Sequence, residues 1–474
     1  MTLKKSAFPV AMLLLTLGGC AVGPDYVRPA PIAAADLPPS FRENWKTAEP
    51  QDQSIPVKWW ILFKDPNLNA LIEQVATSNL SLVAAEANYR SALALVDNAR
   101  AAYFPTLTGD VSRTRSRSSD LGTGTANVAS INAGWEPDLW GGVRRAVEVQ
   151  DNTALASYAN VQAIRLSMQS QLAQTYFQLR VLDAQKELLD RTVEEYRRSL
   201  NLTRNQYKSG LVATDSVLLA ETQLKSTEAQ AIDVGVLRAQ YEHAIATLIG
   251  KPASTFTIAA IPVGKDTYMP ELPDVPVAVP STLLERRPDV AAAERSVAAA
   301  NAQIGVAKAA FFPDLTLGAS GGYQSSTLAK WLTVPNRIWS VGPSLAATLF
   351  DGGAKIALHT QAIAAYDASV ASYRLTVLTA FQNVEDTLAS LRILKDEALV
   401  QRDATRSAVK ALDVTMNQYK AGTVNYLNVV TAQTTALSNQ RTELTITNSR
   451  LLATVQLIAA LGGGWNQNST QSDN

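Results

Sequence analysis

Two stretches of the chain place apolar or weakly polar residues in alternating steps of four and three. Leu189, Val193, Tyr196, Leu200, Thr203 and Tyr207 make one seam, and Thr405, Val409, Leu412, Met416 and Tyr419 make the other. This is the spacing of a coiled-coil contact, in which a narrow stripe on one helix meets a stripe on the next. The helices that carry the seams are long, because no Gly or Pro interrupts 143–209 or 354–421. At 1.5 Å per residue each could reach about 100 Å, whereas a compact chain of this size has a radius of gyration of about 23 Å. A single globule cannot contain them. Their other faces carry Gln, Asn, Ser, Thr and scattered charges, as expected where water lies on both sides of a helix layer; an ordinary solvated coiled coil reads the same way.

Elsewhere the period falls to two. Leu107, Gly109 and Val111 alternate with Thr106, Thr108, Asp110 and Ser112, and later Ile131, Ala133 and Trp135 alternate with Asn132, Gly134 and Glu136, which predicts a hairpin. Leu315, Leu317, Ala319 and Tyr323 repeat the pattern, continued by Trp339, Val341, Leu345 and Ala347. Four strands per chain are predicted, joined by polar, exposed loops at 113–127 and 325–337.

The sequence also repeats itself. Asn205-Gln206-Tyr207-Lys208-Ser209-Gly210-Leu211-Val212 returns 212 positions later as Asn417-Gln418-Tyr419-Lys420-Ala421-Gly422-Thr423-Val424. Ala101-Ala102-Tyr103-Phe104-Pro105 returns 208 positions later as Ala309-Ala310-Phe311-Phe312-Pro313. Residues 65–250 and 283–462 are therefore read as two copies of one unit, with β-hairpins near 106–139 and 314–349. Each copy holds a long helix, a tight turn at Gly210 or Gly422, and a return helix. Between the copies 251–282 is rich in Pro, which forbids a continuous helix and suits an extended crossing. Residues 20–64 read as a second extended strap and 463–474 as a flexible tail.

The first 19 residues carry Lys4 and Lys5, then an apolar run ending at Gly18-Gly19 before Cys20. This predicts a signal peptide cleaved before Cys20; the run is short for a spanning helix, though a retained anchor is the other reading. Leu17-Gly18-Gly19-Cys20 resembles a bacterial lipobox, which implies a diacylglycerol on the thiol and an acyl chain on the new amine. Ala21 in place of Asp points to the outer membrane. A buried structural Cys is the alternative.

Composition narrows the function. The 474 residues hold 42 Lys+Arg against 42 Asp+Glu, so no nucleic-acid partner has an electrostatic footprint. Charged residues are only 18%, below the roughly 25% of a soluble globule, so some surface is expected to meet something other than water. One Cys and two His cannot build a disulfide framework or a Cys/His metal site, and no metal is expected. His243 and His359 lie in predicted helices without a nucleophile or phosphate loop, so no catalytic residue and no enzyme activity is expected. Four strands with one apolar face cannot close a barrel, and an open edge in a bilayer is costly, so several chains must complete it.

Several motifs together carry a family resemblance: Cys20-Ala21-Val22-Gly23-Pro24-Asp25-Tyr26-Val27-Arg28-Pro29, Arg287-Pro288-Asp289-Val290, Phe311-Phe312-Pro313 and Leu349-Phe350-Asp351-Gly352-Gly353. The chain resembles the TolC/OprM outer membrane efflux family, in its lipoprotein (NodT) branch. The resemblance implies a mainly α fold with a membrane β-barrel: a homotrimer with a twelve-strand outer-membrane barrel, a long periplasmic α-helical barrel and a mixed equatorial collar. It implies a passive duct for small toxic compounds in a Gram-negative outer membrane, extending into the periplasm. The implied partners are a periplasmic adaptor (membrane fusion) protein, an inner-membrane pump of the resistance-nodulation-division class, and outer membrane lipid; no cofactor is implied beyond the acyl groups on Cys20. A duct for type I protein secretion shares the architecture, and a structural lipoprotein coiled coil is the other open reading.

Site residues follow from position. Gly210-Leu211-Val212 and Gly422-Thr423-Val424 are read as hairpin tips that dock an adaptor, although packing across the hairpin would also explain the apolar members. Asp215 is read as a periplasmic gate carboxylate or a helix N-cap. Thr423, Val424 and Asn425 stand where relatives carry an acid, so Asn425 is the second gate candidate and an acidic gate is in doubt. Pro105, Pro313, Gly141, Gly142, Gly352 and Gly353 are read as helix-strand corners.

Overall fold

The computed structural model describes residues 21–30, 57–118, 122–260, 272–273 and 287–465. The signal peptide and Cys20, most of the strap up to 56, most of the 251–282 crossing and the tail from 466 lie outside the described residues. The elements, in chain order, are α1 (Pro66–Ser78), α2 (Leu80–Ala101), β1 (Thr106–Ser118), β2 (Gly122–Trp135), α3 (Gly142–Lys208), α4 (Thr214–Leu248), α5 (Pro288–Ala309), β3 (Asp314–Ser325), β4 (Arg337–Ala346), α6 (Ala354–Lys420) and α7 (Tyr426–Ala460). Both α3 and α6 are 67 residues long, and both α4 and α7 are 35. The repeat seen in sequence is thus a repeat of elements.

The residues divide into two compact units. The first holds 21–30, Ala87–Ala159 and Ala291–Thr376. Its sheet is antiparallel throughout in the order β1-β2-β3-β4, so β2 of one repeat pairs with β3 of the other and both edges belong to the outer strands. Odd-numbered residues share one face: Leu107, Val111, Ile131, Trp339, Val341 and Leu345 are all exposed on it. The 113–127 segment departs from the expected loop. Pairing continues from Arg113 opposite Asn127 to Ser118 opposite Gly122. Strand hydrogen bonds come from backbone, so Ser, Thr and Arg side chains lengthen the hairpin as readily as apolar ones. The 325–337 connection does remain a loop with two short 3-10 turns.

The second unit holds 57–86, 160–260, 272–273, 287–290 and 377–465. Asp65 starts α1, its carboxylate accepting from the Asn67 and Leu68 amides ahead of Pro66. Asn79 then serves two helices, accepting from the Leu82 amide and donating to the Leu248 carbonyl at 2.7 Å. Trp59, Phe63 and Phe177 are buried together near Tyr176, whose hydroxyl donates to Asp65. The start of the Pro-rich crossing is held by charge. Arg180 and Arg238 share Asp183 and donate to the carbonyls of Ala259 and Ile258. Arg180 and Asp183 are more than nine-tenths buried, so losing either partner would strand a buried charge. The Arg287-Pro288-Asp289 motif has a mechanical role: Pro288 begins α5, while Arg287 donates to Asp289 and to the Ala460 carbonyl at the end of α7.

Candidate functional site

Each long helix ends in the same way. The Gly210 amide donates to Tyr207 and the Leu211 amide to Gln206; the Gly422 amide donates to Tyr419 and the Thr423 amide to Gln418. This is the Schellman pattern, whose glycine must be left-handed, and Gly210 and Gly422 have φ of 73° and 76°. A Cβ at either would meet nothing within 4 Å. The glycines are therefore required by backbone angle and not by crowding within the chain.

The tip residues do not share one fate. Leu211 is 73% exposed, although this position of the motif usually packs back on its helix. Thr423 folds its hydroxyl back onto the Gln418 carbonyl. Val212 is half-buried, and Val424 packs against the cluster below the turns. That cluster joins the two helical hairpins: Val193, Tyr196, Leu200, Ala220, Leu224, Tyr419, Tyr426 and Val429. Tyr419 and Tyr426 meet edge to face at 5.2 Å, and their hydroxyls reach Thr203 at 3.0 Å and Ser199 at 3.2 Å across the seam. Burial raises both phenols and pushes Tyr196 up to about 12. Tyr207, read as a seam residue, is exposed instead, since it lies in the last turn beyond the cluster.

The gate candidates are correspondingly placed. Asp215 is not the N-cap of α4. Ala213 holds that position without a side-chain bond, and Asp215 sits exposed in the first turn, accepting from the Ser216 amide, where the helix dipole favours a carboxylate. Asn425 is the N-cap of α7, its side chain accepting from the Asn428 amide at 3.2 Å. Sequence reasoning missed Tyr426 and Ser199; the available signal was an aromatic on each side of the second turn.

The corners belong to the other unit. Pro105 and Pro313 sit between helix end and strand start. Gly141, Gly352 and Gly353 have positive φ, whereas Gly142 does not: it is the first residue of α3, and a Cβ there would lie 3.3 Å from the Ala309 methyl. Packing, not backbone freedom, accounts for Gly142. Gly141 has a further role that sequence did not reveal, because the strap runs over it. A Cβ on Gly141 would lie 2.7 Å from the Ala21 Cα, and one on Gly23 2.5 Å from the Gly305 Cα. The strap is then pinned in order: the Val22 amide donates to the Trp140 carbonyl, the Pro24 carbonyl accepts from Asn301, the Asp25 carboxylate accepts from Arg145 at 2.8 Å, and the Tyr26 hydroxyl donates to Glu294 at 2.6 Å. Among the described residues no group of three His, Cys, Asp or Glu could hold a metal, and no helix is long and apolar enough to cross a membrane.

Comparison with known proteins gives this arrangement its context. A family model described as outer membrane efflux protein matches residues 71–251 and 279–463, one segment for each repeat. The solvent efflux pump outer membrane protein SrpC of Pseudomonas putida is 31% identical over 98% of this chain and 99% of its own length. Outer membrane protein OprJ of Pseudomonas aeruginosa is likewise 31% identical, over 98% of both chains. The solved structure of the outer-membrane channel OprN superposes with a TM-score of 0.87 at 28% identity, covering 94% of this chain and all of that one. With the model matched over both repeats and relatives alike from end to end, the chain belongs to the outer membrane efflux protein family and works as an efflux duct.

Proposed function

We propose that three copies assemble into a single conduit that carries small toxic compounds from an inner-membrane pump and periplasmic adaptor across the outer membrane. The observation that carries this reading is the four-stranded sheet, which has an exposed apolar face and two edge strands and leads into helices of 67 residues. In a bilayer those edges must be paired, and three copies give twelve strands around a water-filled lumen. The helices then form the periplasmic barrel, the straps 20–64 and 251–282 form the collar, and 65–250 and 283–462 are the two repeats, with 463–474 as tail. Cys20 carries a diacylglycerol and an N-acyl chain and holds the mature end in the membrane. Leu211, with Gly210, Val212, Gly422, Thr423 and Val424, forms the adaptor-docking tips, and Asp215 and Asn425 line the periplasmic mouth.

The duct is passive and needs no cofactor, energy coming from a pump of the resistance-nodulation-division class. Relatives are named for solvent, toluene and antibiotic efflux, which favours small organic molecules as cargo. Planar-bilayer conductance of the purified protein and a susceptibility panel of drugs, dyes, solvents and metal ions on a deletion strain test the reading. Discrete ion-conducting steps and hypersensitivity to organic compounds are expected. Absence of conductance would sink the duct, and loss of polypeptide export with unchanged susceptibility would reassign it to protein secretion.

A further inference from the structure

The end of the β1–β2 hairpin farthest from the helices carries a column of arginines on one face. The register of the two strands runs from Thr106 opposite Gly134 to Ser118 opposite Gly122 without a break, so no bulge turns β1 over and residues two apart stay on one face. Up to Val111 the odd-numbered positions of β1 are Leu107, Gly109 and Val111; beyond it they are Arg113, Arg115 and Arg117, all exposed. Their partners on β2 are Asn127, Thr125 and Thr123. Arg337 of β4 is a fourth guanidinium on that face, level with Val111 through Ala129 and Tyr323. Among the described strand residues no carboxylate shares the face, since Asp110 and Asp314 lie on the other.

A hairpin end that merely stood in water would have no reason to sort its charge. Ser112, Thr114 and Ser116, equally exposed on the opposite face, carry none. The column instead continues the apolar face upward, so it begins where hydrocarbon contact stops. An arginine on that face costs about 2–4 kcal/mol at the bilayer midplane but only about 0–1 near the interface. From Val111 to Arg117 the strand rises about 20 Å, or about 15 Å along the membrane normal at a tilt of about 40°. A phospholipid headgroup layer is only roughly 5–8 Å deep on each side. The column is too tall for that layer and fits a bulkier headgroup with anionic groups at more than one height. Guanidinium forks match phosphate oxygens two at a time, and the hydroxyls of Thr123 and Thr125 add neutral donors beside them.

We propose that Arg113, Arg115 and Arg117 form a ladder on the outer wall of the duct that binds the phosphates of a phosphorylated glycolipid in the outer leaflet. Thr123 and Thr125 donate to the sugar and phosphate oxygens of the same headgroup. The ladder rests on the duct reading, in which the odd-numbered face meets lipid and the hairpin end points out of the cell. Because the charge is confined to that face, it serves the surrounding lipid and not the selection of cargo in the lumen.

The test uses the full-length chain purified in detergent and stripped of lipid. It is titrated with bisphosphorylated lipid A, the same lipid without its phosphates, phosphatidylglycerol and inorganic phosphate, and bound lipid is counted by native mass spectrometry. Bisphosphorylated lipid A should bind tightest, and Arg113→Gln, Arg115→Gln and Arg117→Gln together should weaken it by about tenfold or more through loss of charge-assisted hydrogen bonds. Unchanged binding in that triple variant overturns the proposal. So does equal binding of phosphatidylglycerol, which would mean a general anionic-lipid contact, or full competition by inorganic phosphate at matched concentration, which would mean a bare anion site. A second variant keeps composition fixed and exchanges each arginine with the residue before it: Ser112→Arg with Arg113→Ser, Thr114→Arg with Arg115→Thr, and Ser116→Arg with Arg117→Ser. It should lose the glycolipid and change ion conductance; glycolipid retained there would also overturn the ladder. Wild-type conductance is scored separately, so absent conductance with the expected lipid losses counts against the duct, and normal conductance with unchanged lipid binding counts against the ladder alone.

Discussion

Substitution of Gly422 separates two reasons for a glycine at the tip. Its φ of 76° places it in the left-handed region, and a Cβ built there meets nothing within 4 Å. In the isolated chain, Gly422→Ala therefore costs only backbone strain, about 1–2 kcal/mol. Gly422→Asn costs less, because Asn tolerates this conformation. Neither figure threatens the cluster beneath, in which Tyr419, Tyr426 and Val429 are at least 98% buried and each large side chain contributes about 1.5–3 kcal/mol of burial. Both variants should reach the outer membrane as trimers. If the bare turn exists so that a partner backbone can approach, both should nevertheless lose photocrosslinking from position 211 to the adaptor and lose resistance, Asn as severely as Ala. The same holds at Gly210, where φ is 73°. Normal crosslinking and normal resistance in Gly422→Asn would show that only the angle matters, and the docking argument would then fail.

Three further outcomes are expected. Labelled fatty acid should enter the wild-type chain and not Cys20→Ala, while Cys20→Ala should keep partial efflux because a barrel closed as proposed would also hold the protein in the membrane; equal labelling would refute the site. Leu317→Arg, on the apolar face, should impair assembly by roughly 2–4 kcal/mol near the bilayer midplane, whereas Thr316→Arg should mainly alter conductance; equal assembly of both would reverse the facing. Burial holds Tyr196 protonated up to about 12 and raises Tyr419 and Tyr426 as well. The unfolded chain loses these protons near pH 10, so the seam keeps its full stability below that and weakens as pH rises toward 12. Thermal melts followed by circular dichroism should show the loss, and Tyr196→Phe should flatten it.

Much of the fold was legible because it is periodic. Sixty-seven residues without Gly or Pro can hardly be anything but α3 or α6, and alternation at Leu107, Gly109 and Val111 marks a strand even where the even-numbered residues are polar. Legibility failed where backbone alone makes the structure. The pairing of Arg113 to Ser118 with Gly122 to Asn127 has no apolar signal. It failed also where partners lie far apart in sequence. Nothing local to Asp183 announces Arg238, and nothing local to Gly305 announces Gly23. At the tips the spacing placed the turns, but the choice between Ala213 and Asp215 as cap depends on where the backbone leaves its extended conformation, and Ala213 has ψ of 165°.

The repeats have kept their backbone and divided their side-chain work. At the turns, repeat one leaves Leu211 bare and caps α4 without a side chain, while repeat two ties Thr423 to Gln418 and uses Asn425 as cap. At the corners the asymmetry runs the other way: Trp140 of repeat one is stacked and bonded, and Phe350 of repeat two is left open. A chain whose copies were identical would present the same groups at every turn and corner of an assembly. If the tips dock a partner as proposed, that partner meets one apolar turn and one self-satisfied polar turn on each chain.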